Sequence, residues 1–127
     1  MKQITGLLAL TCLLYSCAEN KTEPNRSLLG KWAYNHSHDD KTYHDFIAYF
    51  KNDGTYDGIE DGKVTIAGGH YEQRGDTMFL NDVSCNPHPE AYYKIEMWAK
   101  DSMKLVPIVD SCDDRREGTR RFMFKRI

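Results

Sequence analysis

The residues best suited to chemistry lie in positions 35–45, which read NHSHDDKTYHD. Imidazole nitrogens and carboxylate oxygens bind Zn²⁺ and Cu²⁺, and two histidines separated by one residue share a face of a strand. Three side chains are therefore alternative metal ligands, namely His36, His38 and His44. A solvated polar loop between two strands explains the same composition without an ion, and we predict a chain with no resident metal or cofactor.

Acid–base catalysis has one candidate pair, Asp113 and Asp114. Two arginines follow directly at positions 115 and 116, which favours a salt-bridged loop over a general acid and base. The sequence contains no nucleophile elbow, phosphate-binding loop or HExxH motif. We therefore expect a protein that is not an enzyme.

Composition argues against two further classes, nucleic-acid-binding proteins and intrinsically disordered chains. The chain has 127 residues, with 17 Lys and Arg against 19 Asp and Glu, so no basic excess favours nucleic acid as a partner. A hydrophobic fraction of 40% and an aromatic fraction of 12% are typical of a folded chain, and this length suits one domain.

The N-terminus has the pattern of an export signal. Residues 4–15 are mostly apolar and follow Lys2, and this run is too short to cross a bilayer of roughly 30 Å as a helix. It leads into Leu14-Tyr15-Ser16-Cys17, which resembles the lipobox of bacterial lipoproteins. The resemblance implies cleavage before Cys17, acylation of its thiol with chains such as palmitate, and a lipid-anchored location in the bacterial cell envelope, expected at the outer membrane. An ordinary signal peptide cut nearby, or a buried strand, is the alternative.

These features divide the chain into three parts. Residues 1–16 are the predicted lipoprotein signal peptide, residues 17–27 are the lipidated cysteine and a polar tether, and residues 28–127 are the folded domain. After cleavage two unmodified cysteines remain, Cys85 and Cys112. An even pair in an exported protein predicts a disulfide, while a two-cysteine metal site is the alternative.

The domain shows short β-rich runs separated by turn residues, with no helical periodicity. The predicted strands are 29–35, 43–51, 55–60, 63–74 (one strand kinked at Gly68-Gly69 or two short ones), 77–83, 91–99, 102–109 and 119–125. Loops are predicted at 84–89, which holds two prolines, and at the charged segment 110–118. Sequential hairpins without long crossovers predict an all-β fold, a small eight-stranded antiparallel up-and-down barrel, over a two-sheet sandwich.

Four motifs occur in the order found in small lipocalin-like (calycin-type) lipoproteins of Bacteroidetes-type bacteria, and the domain resembles that family. They are LLGKW at 28–32, FKNDGTY at 50–56, GHYEQRGD at 69–76 and DSCDDR at 110–115. The resemblance implies that Trp32, which follows Gly30 on the first strand, plugs the closed end of the barrel. It also implies that an arginine of the last strand packs across this ring, and position leaves Arg120 and Arg121 as equal candidates.

The predicted function is non-catalytic binding of a small hydrophobic or amphipathic ligand inside the barrel. The expected partners are the membrane, through the lipid anchor, and this ligand. The side chains predicted to line the ligand site are Phe46, Phe50, Tyr93, Met97, Leu105, Phe122 and Phe124. The alternative is a barrel filled by its own aromatic residues that acts by surface recognition of another protein, as an inhibitor or an envelope-stress lipoprotein.

Overall fold

The computed structural model describes residues 27–35 and 45–127, which fold into a closed antiparallel barrel with its strands in sequential order. The strands are β1 (Gly30–Tyr34), β2 (Phe46–Phe50), β3 (Thr55–Glu60), β4 (Lys63–Arg74), β5 (Thr77–Asn81), β6 (Glu90–Ala99), β7 (Ser102–Asp110) and β8 (Met123–Arg126). Strand β1 pairs with both β2 and β8, and this double pairing closes the barrel. The predicted all-β, eight-stranded barrel is confirmed.

Tight turns join the strands where the sequence carries turn residues. Asp61 and Gly62 both have positive φ, at 49° and 74°, which is the geometry of the two-residue hairpin between β3 and β4. Strand β4 is a single strand of 12 residues that continues through Gly68-Gly69, so the one-strand alternative is correct. The register between β3 and β4 shifts beside Gly58, which marks a bulge in this pair.

The segment after β7 is a helix, and the prediction of a loop at 110–118 followed by a strand from Thr119 was wrong. Helix α1 spans Asp113–Arg121, and β8 begins only at Met123. Two aspartates occupy the first turn and two arginines the last, so both ends complement the helix dipole. The helix buries Thr119 and the side chain of Arg115, both polar, which is why the sequence lacks an apolar period there.

The core fills the barrel interior with alternate residues of each strand. Along β6, Ala91, Tyr93 and Ile95 are buried while their neighbours face solvent, as expected for strands with one face inside. The largest fully buried side chains are Trp32, Tyr93, Leu28, Met78 and Met103. In the described part of the chain, no helix has the length and apolar character needed to cross a membrane.

The first strand closes one end of the barrel, with an arginine that differs from the predicted ones. Trp32 is fully buried, and Arg126 lies over its ring with Cζ 4.2 Å from the ring centre. Arg120 and Arg121 lie instead on the exposed surface of α1. Because the helix continues to Arg121, the last strand starts later than predicted, and its register with β1 places Arg126 opposite Trp32.

Candidate functional site

A partly open cavity of about 330 Å³ lies inside the barrel beside α1. Six of the described strands contribute to its wall, and the apolar residues they supply are Phe46, Ala48, Phe50, Tyr56, Ile66, Met78, Leu80, Leu105 and Phe124. The side of the wall next to α1 includes Gly118 and Thr119 of the helix and Phe122, the residue directly after it. Both disulfide cysteines also line the cavity. Cavities that bind small ligands range from roughly 300 to 1,000 Å³, so this one is at the lower end of that range.

Five of the seven predicted lining residues reach this cavity. They are Phe46, Phe50, Leu105, Phe122 and Phe124. Tyr93 is not on the wall, because its fully buried ring directs its hydroxyl to Asp110. Met97 pairs with Met103 close to the β6–β7 hairpin, away from α1, and does not line the cavity.

The rings of Phe46, Phe122 and Phe124 form one side of the cavity, and Tyr34, which is not on the wall, stacks on Phe122. The Phe122 ring centre lies 4.4 Å from that of Tyr34, 5.2 Å from that of Phe46 and 5.5 Å from that of Phe124. Phe124 is buried, whereas Phe46 and Phe122 are half-buried and leave ring surface open to the cavity. Because Phe122 stacks with both Tyr34 and Phe46, this cluster offers an apolar ligand the part of its ring surface that the stacking leaves uncovered.

A disulfide fixes the start of α1 against the barrel. Cys85 lies in the short 3₁₀ turn Val83–Cys85 after β5, and it is bonded to Cys112, the residue just before α1. The predicted pairing is confirmed. The bond joins two segments that are 27 residues apart, and both sulfur-bearing residues lie on the cavity wall.

Arg115 of α1 provides the second attachment of the helix. Its side chain is 8% exposed and forms ion pairs of 2.8 Å with Asp82 at the end of β5 and with Asp110 at the end of β7. The predicted salt-bridged segment exists for Arg116, which pairs with Asp113 at 2.7 Å. The partners of Arg115 were missed, because Asp82 is 33 residues away and no local pattern links the two.

Asp82 is buried but held in its ionised form. It accepts hydrogen bonds from Ser84, from Tyr56 Oη at 2.7 Å and from Arg115 Nη1 at 2.8 Å. Burial opposes ionisation, but these three donors outweigh it and keep the pKa of this carboxyl below its ordinary value. In turn, burial and the bond to Asp82 raise the pKa of the Tyr56 phenol, which remains a neutral donor.

Asp110 has a matching environment on the other side of Arg115. It accepts hydrogen bonds from Arg115 Nε at 2.8 Å, from the Tyr93 hydroxyl and from the Cys112 backbone N–H at 2.9 Å. Burial again opposes ionisation, and the donors again hold the pKa of this carboxyl below its ordinary value. The two carboxylates and one guanidinium therefore form a buried triad with a net charge of −1.

The metal-binding alternative is not located in the structure. Among residues 27–35 and 45–127, no group of three or more His, Cys, Asp or Glu side chains is arranged to hold a metal ion. The three candidate ligands His36, His38 and His44 lie outside the described residues, as do Cys17 and the predicted signal peptide.

Comparison of the chain with protein-family models, with curated proteins and with solved structures finds no match. The barrel is shown by its strand order and closure, and the lipocalin-like resemblance of the motifs stays a prediction.

Proposed function

We propose that this protein is a lipid-anchored lipoprotein of the bacterial cell envelope that binds a small hydrophobic or amphipathic molecule in its barrel, without catalysis. The cavity carries the proposal. An eight-stranded barrel is only just wide enough for its own side chains to fill, yet here about 330 Å³ beside α1 is unfilled and its walls are mostly apolar. Apolar walls with a few polar groups at the mouth are typical of small-molecule sites.

The size of the cavity limits the ligand. At the lower end of the range for ligand sites, it accommodates one or two small ring systems or a short alkyl chain and excludes an intact lipid with two acyl chains. The tether at 18–27 would let the domain move roughly 15–20 Å from the membrane as a random coil. The ligand would thus be a small amphipathic molecule that meets the domain near the bilayer surface.

Gly118 is a position on the cavity wall from which a larger side chain would fill the cavity. It lies on α1 at the cavity wall, and a Cβ added there meets no atom closer than Phe122 Cζ at 3.8 Å. Replacing glycine inside a helix also improves helix propensity by up to about 1 kcal/mol. Gly118→Leu therefore adds four carbons to the cavity wall, while Gly118→Ala is the matched control that adds one.

The test is binding of the neutral fluorophore N-phenyl-1-naphthylamine to the full chain carrying Cys17→Ser. We expect saturable binding at one site per chain, retained in Gly118→Ala and reduced at least about tenfold in Gly118→Leu, with thermal unfolding midpoints no lower than that of the parent. Absence of binding to the folded parent would refute the proposal. Equal binding by the two variants would place the fluorophore outside the cavity and refute it as well.

Surface recognition of another protein is the second candidate function, because the solvent-facing side of the barrel carries exposed apolar residues. Tyr92 is 45% exposed and pairs with Val109, which is 58% exposed, and the adjacent Ile108 is 57% exposed. This apolar strip favours contact with another protein. A Tyr92→Ser, Val109→Ser variant distinguishes the two functions: it keeps fluorophore binding if the cavity is the site, and it loses cross-links to envelope proteins if the strip is the site.

A further inference from the structure

The charged groups at the cavity determine which ligand charge it accepts. Among residues 27–35 and 45–127, three charged side chains lie on the cavity wall, the anions Glu60 and Asp114 and the cation Arg115. A lone cation among apolar walls would normally attract a carboxylate or phosphate. The contacts of these three residues lead to the opposite preference.

Arg115 has no hydrogen-bond donor left for a ligand. Nε donates to Asp110, Nη1 donates to Asp82 and to the carbonyl of Pro89, and Nη2 donates to Asp110 and to the carbonyls of His88 and Glu90. A guanidinium has five N–H groups, and these contacts engage all of them. An anionic ligand would therefore have to displace a buried carboxylate of a triad that is already negative.

Glu60 and Asp114 are both exposed at the cavity wall. Within the described residues, neither side-chain carboxylate has a hydrogen bond or an ion pair, in contrast to Asp113, which pairs with Arg116. Asp114 also lies in the first turn of α1, where the helix dipole favours negative charge. Its own carboxylate therefore occupies the position at which a helix start would otherwise attract an anion.

The rings of Phe46 and Phe122 form the apolar side of the same cavity wall. They stack on each other with centres 5.2 Å apart, so their facing surfaces are covered and the ring surface that remains is apolar area for a ligand. Among the described residues, the wall therefore combines two unpaired carboxylates with an apolar surface, which suits an amphiphile with a cationic end.

We infer that the cavity takes a cationic amphiphile, an alkylamine or arylamine. Its ammonium lies near Glu60 and Asp114, and its apolar part lies against the rings of Phe46 and Phe122. The inference rests on the proposed binding function and names the chemical class of its ligand. It also excludes fatty acids and other anionic amphiphiles as preferred ligands.

The test compares three probes that share one chain length and differ in charge: octylamine, octanol and octanoate. Calorimetric titration of the full chain carrying Cys17→Ser should give octylamine an affinity at least about tenfold higher than octanoate, with octanol between them. Adding Glu60→Gln and Asp114→Asn should reduce octylamine affinity to about that of octanol and leave octanol unchanged. Asp113→Asn is the matched control, since it removes a neighbouring charge that does not line the cavity.

Octanoate binding as tight as or tighter than octylamine would overturn the inference and leave the proposed function intact. Failure of all three octyl probes while N-phenyl-1-naphthylamine still binds would overturn it too. Loss of binding by every probe, the fluorophore included, would instead refute the proposed function. An octylamine preference that survives the double substitution would show that the two carboxylates do not produce it, and would likewise overturn the assignment.

Discussion

The Arg126 guanidinium lies over the Trp32 ring, with its central carbon 4.2 Å from the ring centre. Arg126 Nη2 also donates to the Ser27 carbonyl at 2.7 Å, and Trp32 Nε1 donates to the Leu28 carbonyl at 2.7 Å. These contacts join the last strand, the first strand and the segment that precedes it. One end of the barrel is therefore closed by residues from both termini of the described domain.

Truncation of Trp32 should severely destabilise the domain. The side chain is fully buried, so Trp32→Ala should lower the free energy of unfolding by about 3–5 kcal/mol, measured by urea titration and circular dichroism. The control is Trp98→Ala, because Trp98 is 54% exposed and its loss should cost about 1 kcal/mol or less. A cost below about 1 kcal/mol at Trp32 would show that this ring does not hold the closed end.

The barrel was predictable from sequence because its signals are local. Strand alternation, as in Tyr93 and Ile95 of β6, and hairpin residues such as Asp61-Gly62 each depend on a few neighbouring positions. The disulfide followed from the cysteine count. Five of the residues predicted to line a ligand site lie on the cavity wall, and four of them are strand residues that face the barrel interior in the two-residue alternation of their strands.

Two of the errors, the position of the last strand and the choice of arginine over Trp32, come from the short helix before that strand. Helix α1 has nine residues and buries only polar side chains, those of Thr119 and Arg115, so tertiary contacts stabilise it and no apolar period reveals it. Because this helix was not predicted, the last strand was placed too early in the sequence. Arg120 and Arg121 were therefore predicted to pack on Trp32 in place of Arg126. The partners of Arg115 were not predictable either, because the register of β5 and β7 brings Asp82 and Asp110 together only in the folded barrel.

Replacing Arg115 should reverse the direction in which Asp82 and Asp110 make the free energy of unfolding of the domain depend on pH. In the parent, Asp82 and Asp110 have lowered pKa values, so their contribution is present above their ordinary pKa and is lost as pH falls through the lower folded values. In Arg115→Met both buried carboxylates lose their cation, so their pKa values rise. Protonation then removes the cost of burying an unpaired negative charge and stabilises the folded variant. We expect a loss of about 3–5 kcal/mol at pH 7.

This loss should shrink by at least about 1 kcal/mol between pH 7 and pH 4, measured by urea titration at several pH values. The matched control is Arg116→Met, since Arg116 pairs with the exposed Asp113 and its loss should cost under about 1 kcal/mol at every pH. A destabilisation by Arg115→Met that is constant with pH would contradict ionised aspartates in the triad.

Removal of the disulfide should destabilise the domain and weaken ligand binding in the cavity. Cys85 and Cys112 are 27 residues apart, and the chain-entropy model gives their bond about 3–4 kcal/mol. A Cys85→Ala, Cys112→Ala variant should therefore unfold at lower urea concentration and bind N-phenyl-1-naphthylamine more weakly, because the start of α1 loses its attachment. The reduced parent protein provides the control and should match the variant; an unchanged urea midpoint would contradict the prediction.

Gly69 should not tolerate a side chain, because Tyr56 occupies that space. A Cβ at position 69 would lie 2.5 Å from Tyr56 Cε1 and 2.8 Å from its Cζ, and the ring is held by its hydroxyl bond to Asp82. Gly69→Ala should therefore cost about 1–3 kcal/mol. In a Tyr56→Ala background the clash is absent, so the cost should fall by at least about 1 kcal/mol in a double-mutant cycle. Additive costs would show that the two positions do not interact.

The lipid anchor should depend on Cys17 alone among the N-terminal cysteines. Cys17→Ser removes the thiol that acylation requires, so cells should lose incorporation of a palmitate analogue, and the protein should become soluble or remain uncleaved. Cys12→Ser is the matched control, because position 12 precedes the predicted cleavage site and its change should keep both label and membrane association. The Cys17→Ser protein should keep the unfolding midpoint of the parent domain, since the described strands and core begin after Ser27. Retained label in Cys17→Ser, or lost label in Cys12→Ser, would contradict the lipobox assignment.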